Sequence, residues 1–231
     1  PDVEKVPIIK EDPLARQFVE SYLPKKEGKW VAIQLRASSR PRSYPEAGGA
    51  FFIGPTLARM GYKVFFVGSR YDFGGYNKRF CTMCDSPVKI DADLHYADCP
   101  TCGRIDVDKT VQKKIPTEDL GIENMCGKCE TIGELSELYK HMDLVIGPDS
   151  ACLHFAGALN IPAIGLYSGI FPHELRSKYY KSIVPMKKSV PCENCHSVGE
   201  FLPCGPENSF CLALTAITPQ EVIDKACELL G

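Results

Sequence analysis

Apolar residues along this chain fall into two rhythms. Continuous apolar runs recur at 29-KWVAIQLR-36, 63-KVFFVG-68, 143–147 and 163–168. Runs of that kind mark strands covered on both faces. Between them the apolar positions repeat every three or four residues, as on one face of a helix. Asp12-Pro13 opens a helix over 12–22, with Asp12 as N-cap and Pro13 at the first helical position. In 131-TIGELSELYKHM-142, Thr131 and Glu134 form a capping box, and Thr218, Pro219 and Glu221 repeat the signal for a last helix over 218–230. A further helix spans 150–159, and the Gly-rich stretch 47–61 reads as helical, with Pro55 starting or kinking it. Strands alternate with helices, so the fold class is α/β, a doubly wound parallel sheet. The rhythm stops over 69–115, which is polar, aromatic and cysteine-bearing. The uncharged window 155–172 has the length of a membrane helix. Asn160 and Pro162 break it, so it reads as a helix end, a turn and a buried strand.

The element junction 144-LVIGPDSACLHFAGAL-159 carries the first candidate chemistry. In a doubly wound sheet, ligands bind outside the carboxyl ends of the strands. Asp149 and Ser150 stand at such an end, with Ser150 as the expected N-cap of the next helix. The N–H groups at a helix start carry about half a positive charge and seat phosphates. His154, four residues on, shares a helix face with Ser150 and can donate a hydrogen bond to phosphate. The plainer alternative is that Ser150 only caps, Asp149 only complements the dipole and His154 belongs to the core. A second polar cluster, 36-RASSRPRSYPE-46, follows the strand 29–36 and opens onto the same edge. Arg36, Arg40 and Arg42 suit bidentate phosphate contacts; the alternative is a solvated basic loop.

Most of the twelve cysteines fall in C-x-x-C pairs. FCTMCDSPVKIDADLHYADCPTCG is C-x2-C-x14-C-x2-C, and Cys81, Cys84, Cys99 and Cys102 can supply four thiolates to a tetrahedral Zn²⁺. Four cysteine ligands leave no open position, so that site should be structural. Cys192, Cys195, Cys204 and Cys211 form a second candidate set; Cys126 and Cys129 could substitute for two of its members or stand alone. Cys152 and Cys227 sit on expected helices as core residues.

Charge adds an exclusion. Lys plus Arg is 27 against 29 for Asp plus Glu, so nothing pulls the chain as a whole toward nucleic acid or an anionic membrane. Asp85, Asp91, Asp93 and Asp98 against Lys89 make the cysteine-bearing stretch a poor phosphate binder, and no nucleic acid is expected as partner. The start, PDVEKVPIIKEDP, shows no apolar signal-peptide region, and with thiols paired for metal the expected location is the cytoplasm. The missing initiating Met fits a fragment or a processed product.

The run TIGELSELYKHMDLVIGPDSACLHFAGALNIPAIGLYS resembles the C-terminal half of glycosyltransferase family nine, the heptosyltransferase-like family. WVAIQLRASSRPRSYPEAGGAFFIGPTLARMGYKVFFVGS is similar to the opening of that half, with Arg42 in the basic place before the aromatic-Pro pair Tyr44-Pro45. The tail CENCHSVGEFLPCGPENSFCLALTAITPQEV resembles the cysteine-bearing end of many members. The resemblance implies a Rossmann-like donor half of a GT-B architecture over 1–231, with a zinc ribbon inserted at 79–106. It implies an inverting transferase that takes a nucleotide sugar, usually ADP-heptose, and a glycan acceptor, without metal chemistry. Asp149, Ser150 and Ala151 would then meet the diphosphate and sugar, His154 the phosphate, and Arg42 the charge of the departing diphosphate. Arg40 and Asp72 are further candidates, Asp72 for the ribose. Ala151 stands where the family has Gly, which puts a methyl at the closest backbone approach. The acceptor half, which carries the family's general base, has no counterpart in these residues, so a separate chain or missing half would complete the site. The rival reading is a non-catalytic zinc-binding interaction or structural protein on an inherited donor fold. A Rossmann dehydrogenase is disfavoured, since no G-x-G-x-x-G follows the first strand.

Overall fold

The computed structural model describes residues 7–37, 42–45, 52–69, 76–84, 88–90, 96–115, 120–169, 177–190 and 211–231. The chain divides into two compact units, one of residues 1–73 and 121–231 and one of residues 74–120.

In chain order the first unit begins with α1 (Pro13–Glu20), β1 (Trp30–Ile33), α2 (Gly54–Arg59) and β2 (Lys63–Phe66). The second unit contains β3 (Tyr76–Cys81), β4 (Lys89–Ile90), β5 (Tyr96–Cys99), β6 (Gly103–Asp106) and β7 (Thr110–Ile115). The first unit resumes with β8 (Ile122–Asn124), α3 (Ile132–Lys140), β9 (Leu144–Pro148), α4 (Ala151–Ala158) and β10 (Ala163–Leu166), then β11 (Ile183–Met186), α5 (Leu212–Thr215) and α6 (Pro219–Leu230).

Six strands form one parallel sheet in the order β11-β10-β9-β1-β2-β8. That is the doubly wound arrangement expected from the sequence. Every residue of β1, β9 and β10 is buried, because both faces of the sheet are covered. Trp30, Ala32, Phe65, Val145 and Ala163 share one core with Val19 of α1, Leu138 and Tyr139 of α3 and Leu153 of α4. The pleat turns Val31, Ile33, Val64 and Ile146 to the other face, and these are buried too. In the first core, glycine permits a close approach: a Cβ at Gly157 of α4 would lie 2.3 Å from the Tyr180 ring.

The helix starts follow the sequence signals. Asp12 accepts from Ala15 N–H at 3.0 Å, and Thr131/Glu134 and Thr218/Glu221 close capping boxes. Of the stretch 47–61, residues 47–51 lie outside the described residues; among the described ones, α-helix covers Gly54–Arg59, with Pro55 in its first turn. The uncharged window resolves into the end of α4, a turn and β10, and among the described residues no helix is long and apolar enough to cross a membrane.

Four departures from the sequence pattern stand out. β8 and β11, the two sheet edges, were not legible as strands; β8 is the short IEN, and β11 carries Pro185. Proline is tolerated at an edge, where a ladder N–H is not needed. The stretch 69–115 is not irregular either. β3 and β7 pair antiparallel from Tyr76↔Ile115 to Cys81↔Thr110, and β4, β5 and β6 form a three-stranded antiparallel sheet.

Candidate functional site at the switch point of the sheet

The strand order reverses between β1 and β9, which pair in parallel from Val31↔Leu144 to Ile33↔Ile146. Loops leaving two neighbouring strands there turn opposite ways and leave a crevice at their carboxyl ends. A cleft of about 530 Å³ occupies that place. Gln34, Arg36 and Arg42 line one side, and Ser150 and Ala151 line the start of α4. Gly68 and Ser69 come from the end of β2, and Cys129 to Ile132 from the approach to α3.

The basic segment is tied down at several points. Tyr44 N–H donates to the Leu35 carbonyl at 2.9 Å, Ala37 N–H donates to Ser43 Oγ at 3.0 Å, and the buried Tyr44 hydroxyl donates to the Ile217 carbonyl at 2.7 Å. Burial pushes the Tyr44 phenol up to about 12, so it stays a donor. These ties carry Arg42 to the start of α4. Its Nη2 donates to the Asp149 carbonyl and lies 3.6 Å from Asp149 Oδ2. Asp149 is 4% exposed, so the guanidinium offsets a carboxylate that burial would otherwise penalise.

Ser150 is the N-cap of α4 by backbone position, but its hydroxyl makes no capping bond. Instead Ser150 Oγ accepts from Gln34 Nε2 at 3.2 Å and lies 3.1 Å from Cys152 Sγ. Ala151 is exposed on the cleft at the first helical position. His154 stands one turn further on, packed edge-on to Tyr180 with Nδ1 3.4 Å from its hydroxyl, and is not among the residues lining the cleft. Arg40 and Asp72 lie outside the described residues. The structure therefore brings Arg42, Asp149, Ser150 and Ala151 together and sets His154 against Tyr180. Gln34 and the stretch Cys129–Ile132 were not read from the sequence as lining of this cleft. A polar Gln closing the apolar run VAI was the available signal for Gln34.

In the unit of residues 74–120, Cys81, Cys84, Cys99 and Cys102 gather with their sulfurs within 4.8 Å of one another. Cys81 Sγ lies 4.0 Å from Cys102 Sγ, and Cys84 Sγ lies 3.4 Å from Cys99 Sγ. Sulfurs bound tetrahedrally at about 2.3 Å sit roughly 3.8 Å apart, so the donor set fits a tetrahedral ion with small adjustments. The Cys102 thiol is pushed up to about 12, first by its hydrogen bond with Cys84, then by desolvation and by the sulfurs of Cys81 and Cys99. Crowded thiols resist ionising together unless a cation joins them. The cluster could hold a metal. Of the second cysteine set, Cys192, Cys195 and Cys204 lie outside the described residues, while the buried Cys211 accepts from Gly169 N–H at 3.3 Å. Cys152 and Cys227 are on α4 and α6, Cys152 fully buried and pushed up to about 12 by that burial.

The model of glycosyltransferase family 9 (heptosyltransferase) matches residues 99–203. The fold is similar to ADP-heptose lipopolysaccharide heptosyltransferase II of E. coli, with a TM-score of 0.63 and 16% identity over 100% of this chain and 55% of that one. It is also similar to a family 9 glycosyltransferase from Veillonella parvula (TM-score 0.57, 17% identity, 96% of this chain and 53% of that one). A third is TibC of enterotoxigenic E. coli, a dodecameric iron-containing heptosyltransferase solved with ADP-D-β-D-heptose (TM-score 0.54, 17% identity, 90% and 47%). The chain spans about half the length of these structures, and at such identities the likeness is one of fold. No curated protein matches the chain by sequence.

Proposed function

From a glycosyltransferase family 9 resemblance carried by motifs, family model and Rossmann-like fold together, we propose that the chain is the donor-binding half of an inverting glycosyltransferase. The donor is a nucleotide-diphosphate sugar of the ADP-heptose kind, and the acceptor is a glycan held by a half supplied outside these residues. The observation that carries this reading is the meeting of Arg42 with Asp149 and Ser150 at the switch-point cleft. The start of α4 offers a positive dipole end to the diphosphate at Ser150 and Ala151. As the bond to the sugar breaks, negative charge grows on the departing diphosphate. A guanidinium already fixed beside the helix start favours that charge without reorganising, which is electrostatic catalysis. His154 remains the candidate for a phosphate contact on this reading, one helical turn beyond Ser150 and beside Tyr180. The Ala151 methyl narrows the approach to the helix start and selects among sugar diphosphates.

The four-cysteine cluster takes Zn²⁺ in a structural role, with no open position for chemistry. Iron also accepts four thiolates, and elemental analysis of the purified chain separates the two.

Calorimetric titration with ADP, UDP, GDP and CDP tests the donor reading. Saturable binding of one nucleotide, weakened in Arg42→Ala and Asp149→Asn, is expected. A folded chain that binds none would favour the rival, a non-catalytic interaction module.

A further inference from the structure

The Gln34 side chain, at the carboxyl end of β1, has a hydrogen-bond partner in each of three directions. Its Nε2 donates to the Arg36 carbonyl at 2.9 Å and to Ser150 Oγ at 3.2 Å, and its Oε1 accepts from the Tyr139 hydroxyl at 3.4 Å. A carboxamide can be turned end for end, exchanging its donor and acceptor sides. The Arg36 carbonyl forbids the exchange, because a carbonyl only accepts and only the NH₂ can face it. Ser150 Oγ therefore accepts a hydrogen bond from Gln34, and its own hydroxyl proton points elsewhere. The neighbour it has is Cys152 Sγ at 3.1 Å, a weak acceptor that donates its own S–H to the Pro148 carbonyl, with sulfur and oxygen 3.6 Å apart. The hydroxyl is not used in capping α4. Its proton is thus lightly held at a position that lines the cleft.

We propose that Gln34 is a positioning residue that presets the Ser150 hydroxyl as a hydrogen-bond donor to an anionic oxygen, a phosphate oxygen of a nucleoside diphosphate, in the switch-point cleft. This rests on the donor-site reading above. The hydrogen bonds run in one direction, from Tyr139 to Gln34 to Ser150 and on to the ligand, and each polarises the next. If residue 34 were an acceptor, Ser150 would turn its proton inward and present lone pairs to the anion. The polarity of one amide therefore decides whether the helix start attracts or resists a phosphate at that hydroxyl.

The test is calorimetric titration of the full chain with ADP, GDP, UDP and CDP, using the wild type, Gln34→Glu, Gln34→Leu, Ser150→Ala and the two double variants. An ionised Glu at position 34 has nearly the same shape but only accepts, so Gln34→Glu should lose about tenfold or more in affinity. Ser150→Ala should lose a similar factor, and once Ser150 is gone Gln34→Glu should add only the repulsion of its own charge against the phosphate. Gln34→Leu brings no charge against the phosphate or the Arg36 carbonyl and should add little once Ser150 is gone. Thermal unfolding of each variant checks that the fold persists. A merely structural Gln34 would weaken binding equally with or without the hydroxyl. Additive losses for Gln34→Leu and Ser150→Ala, or wild-type affinity in Gln34→Glu, would overturn the proposal and leave the donor-site reading standing. A wild-type chain that binds none of the four nucleotides would overturn both.

Discussion

Arg42 and Asp149, 107 residues apart in sequence, meet where the sheet reverses: the guanidinium donates to the Asp149 carbonyl and ion-pairs with its carboxylate at 3.6 Å. The Asp149 side chain is 5% exposed and that of Arg42 21%. A carboxylate so buried is tolerable because its partner stays with it. Removing Arg42 should therefore do two things at once. Arg42→Ala leaves the charge uncompensated and should cost about 2–3 kcal/mol in urea unfolding, somewhat under the usual loss for a fully buried pair. Adding Asp149→Asn should return most of that stability and none of the nucleotide affinity. Recovery of both together would mean that the pair is only structural.

This pairing shows where sequence reading ends. That Arg42 and Asp149 belong to one sheet edge was legible, because each follows an apolar run and runs of that kind are parallel strands. β1, β9 and β10 were legible because both faces are buried, and α3 and α6 because capping boxes are local signals. β8 and β11 were not, since an edge strand needs less burial and tolerates Asn124 or Pro185. β3 and β7 pair across the whole intervening ribbon, so no short-range turn announces them. The turn of the Ser150 hydroxyl away from its helix depends on Gln34 and Cys152, contacts that no spacing rule encodes.

The unit of residues 74–120 has a described core of only Cys81, Val88, Ala97, Cys99 and Ile105. So small an apolar cluster does not stabilise a fold by itself. Metal binding, worth on the order of 10 kcal/mol in comparable sites, should supply the rest. Chelation should speed amide exchange across β3–β7 and leave β1 and β9 unchanged. Co²⁺ substitution should give the intense thiolate-to-metal absorption of a tetrahedral four-sulfur site, weakened in Cys99→Ser. Equal protection of the 74–120 amides with and without metal would show that metal is dispensable to this unit.

Glu221 closes the capping box of α6 while paired with Lys188. The Lys188 hydrogen bond, followed by the Thr218 N–H and hydroxyl, lowers its pKa to about 2 from the ordinary 4.5. A carboxyl lowered by folding stabilises the fold in full above about 4.5, and the contribution is lost as pH falls through about 2. Carboxyl titration by NMR should place the midpoint near the low value, and Lys188→Ala should raise it. The urea curves of wild type and Lys188→Ala should converge as acid approaches that midpoint. The pair is exposed, so added salt should shrink the difference.

Gly147 lets the switch-point crossing close. A Cβ there would stand 2.5 Å from Cys152 Sγ and 3.1 Å from the Gln34 carbonyl. Either β9 moves away from β1 or the start of α4 is displaced, and Ser150 lies between the two. Gly147→Ala should cost about 1–3 kcal/mol, as overpacking does in dense cores, and should weaken nucleotide binding with it. Cys152→Ala alone removes a buried sulfur and should cost about 1 kcal/mol through the space it leaves. In the double variant the new methyl occupies that space, so the two losses should partly cancel in thermal or urea unfolding. Losses that simply add would place the obstruction at the Gln34 carbonyl, in the β1 backbone rather than at the helix. Cancellation would show that the Cys152 thiol sets how closely the start of α4 approaches β9, and with it the position of the Ser150 hydroxyl.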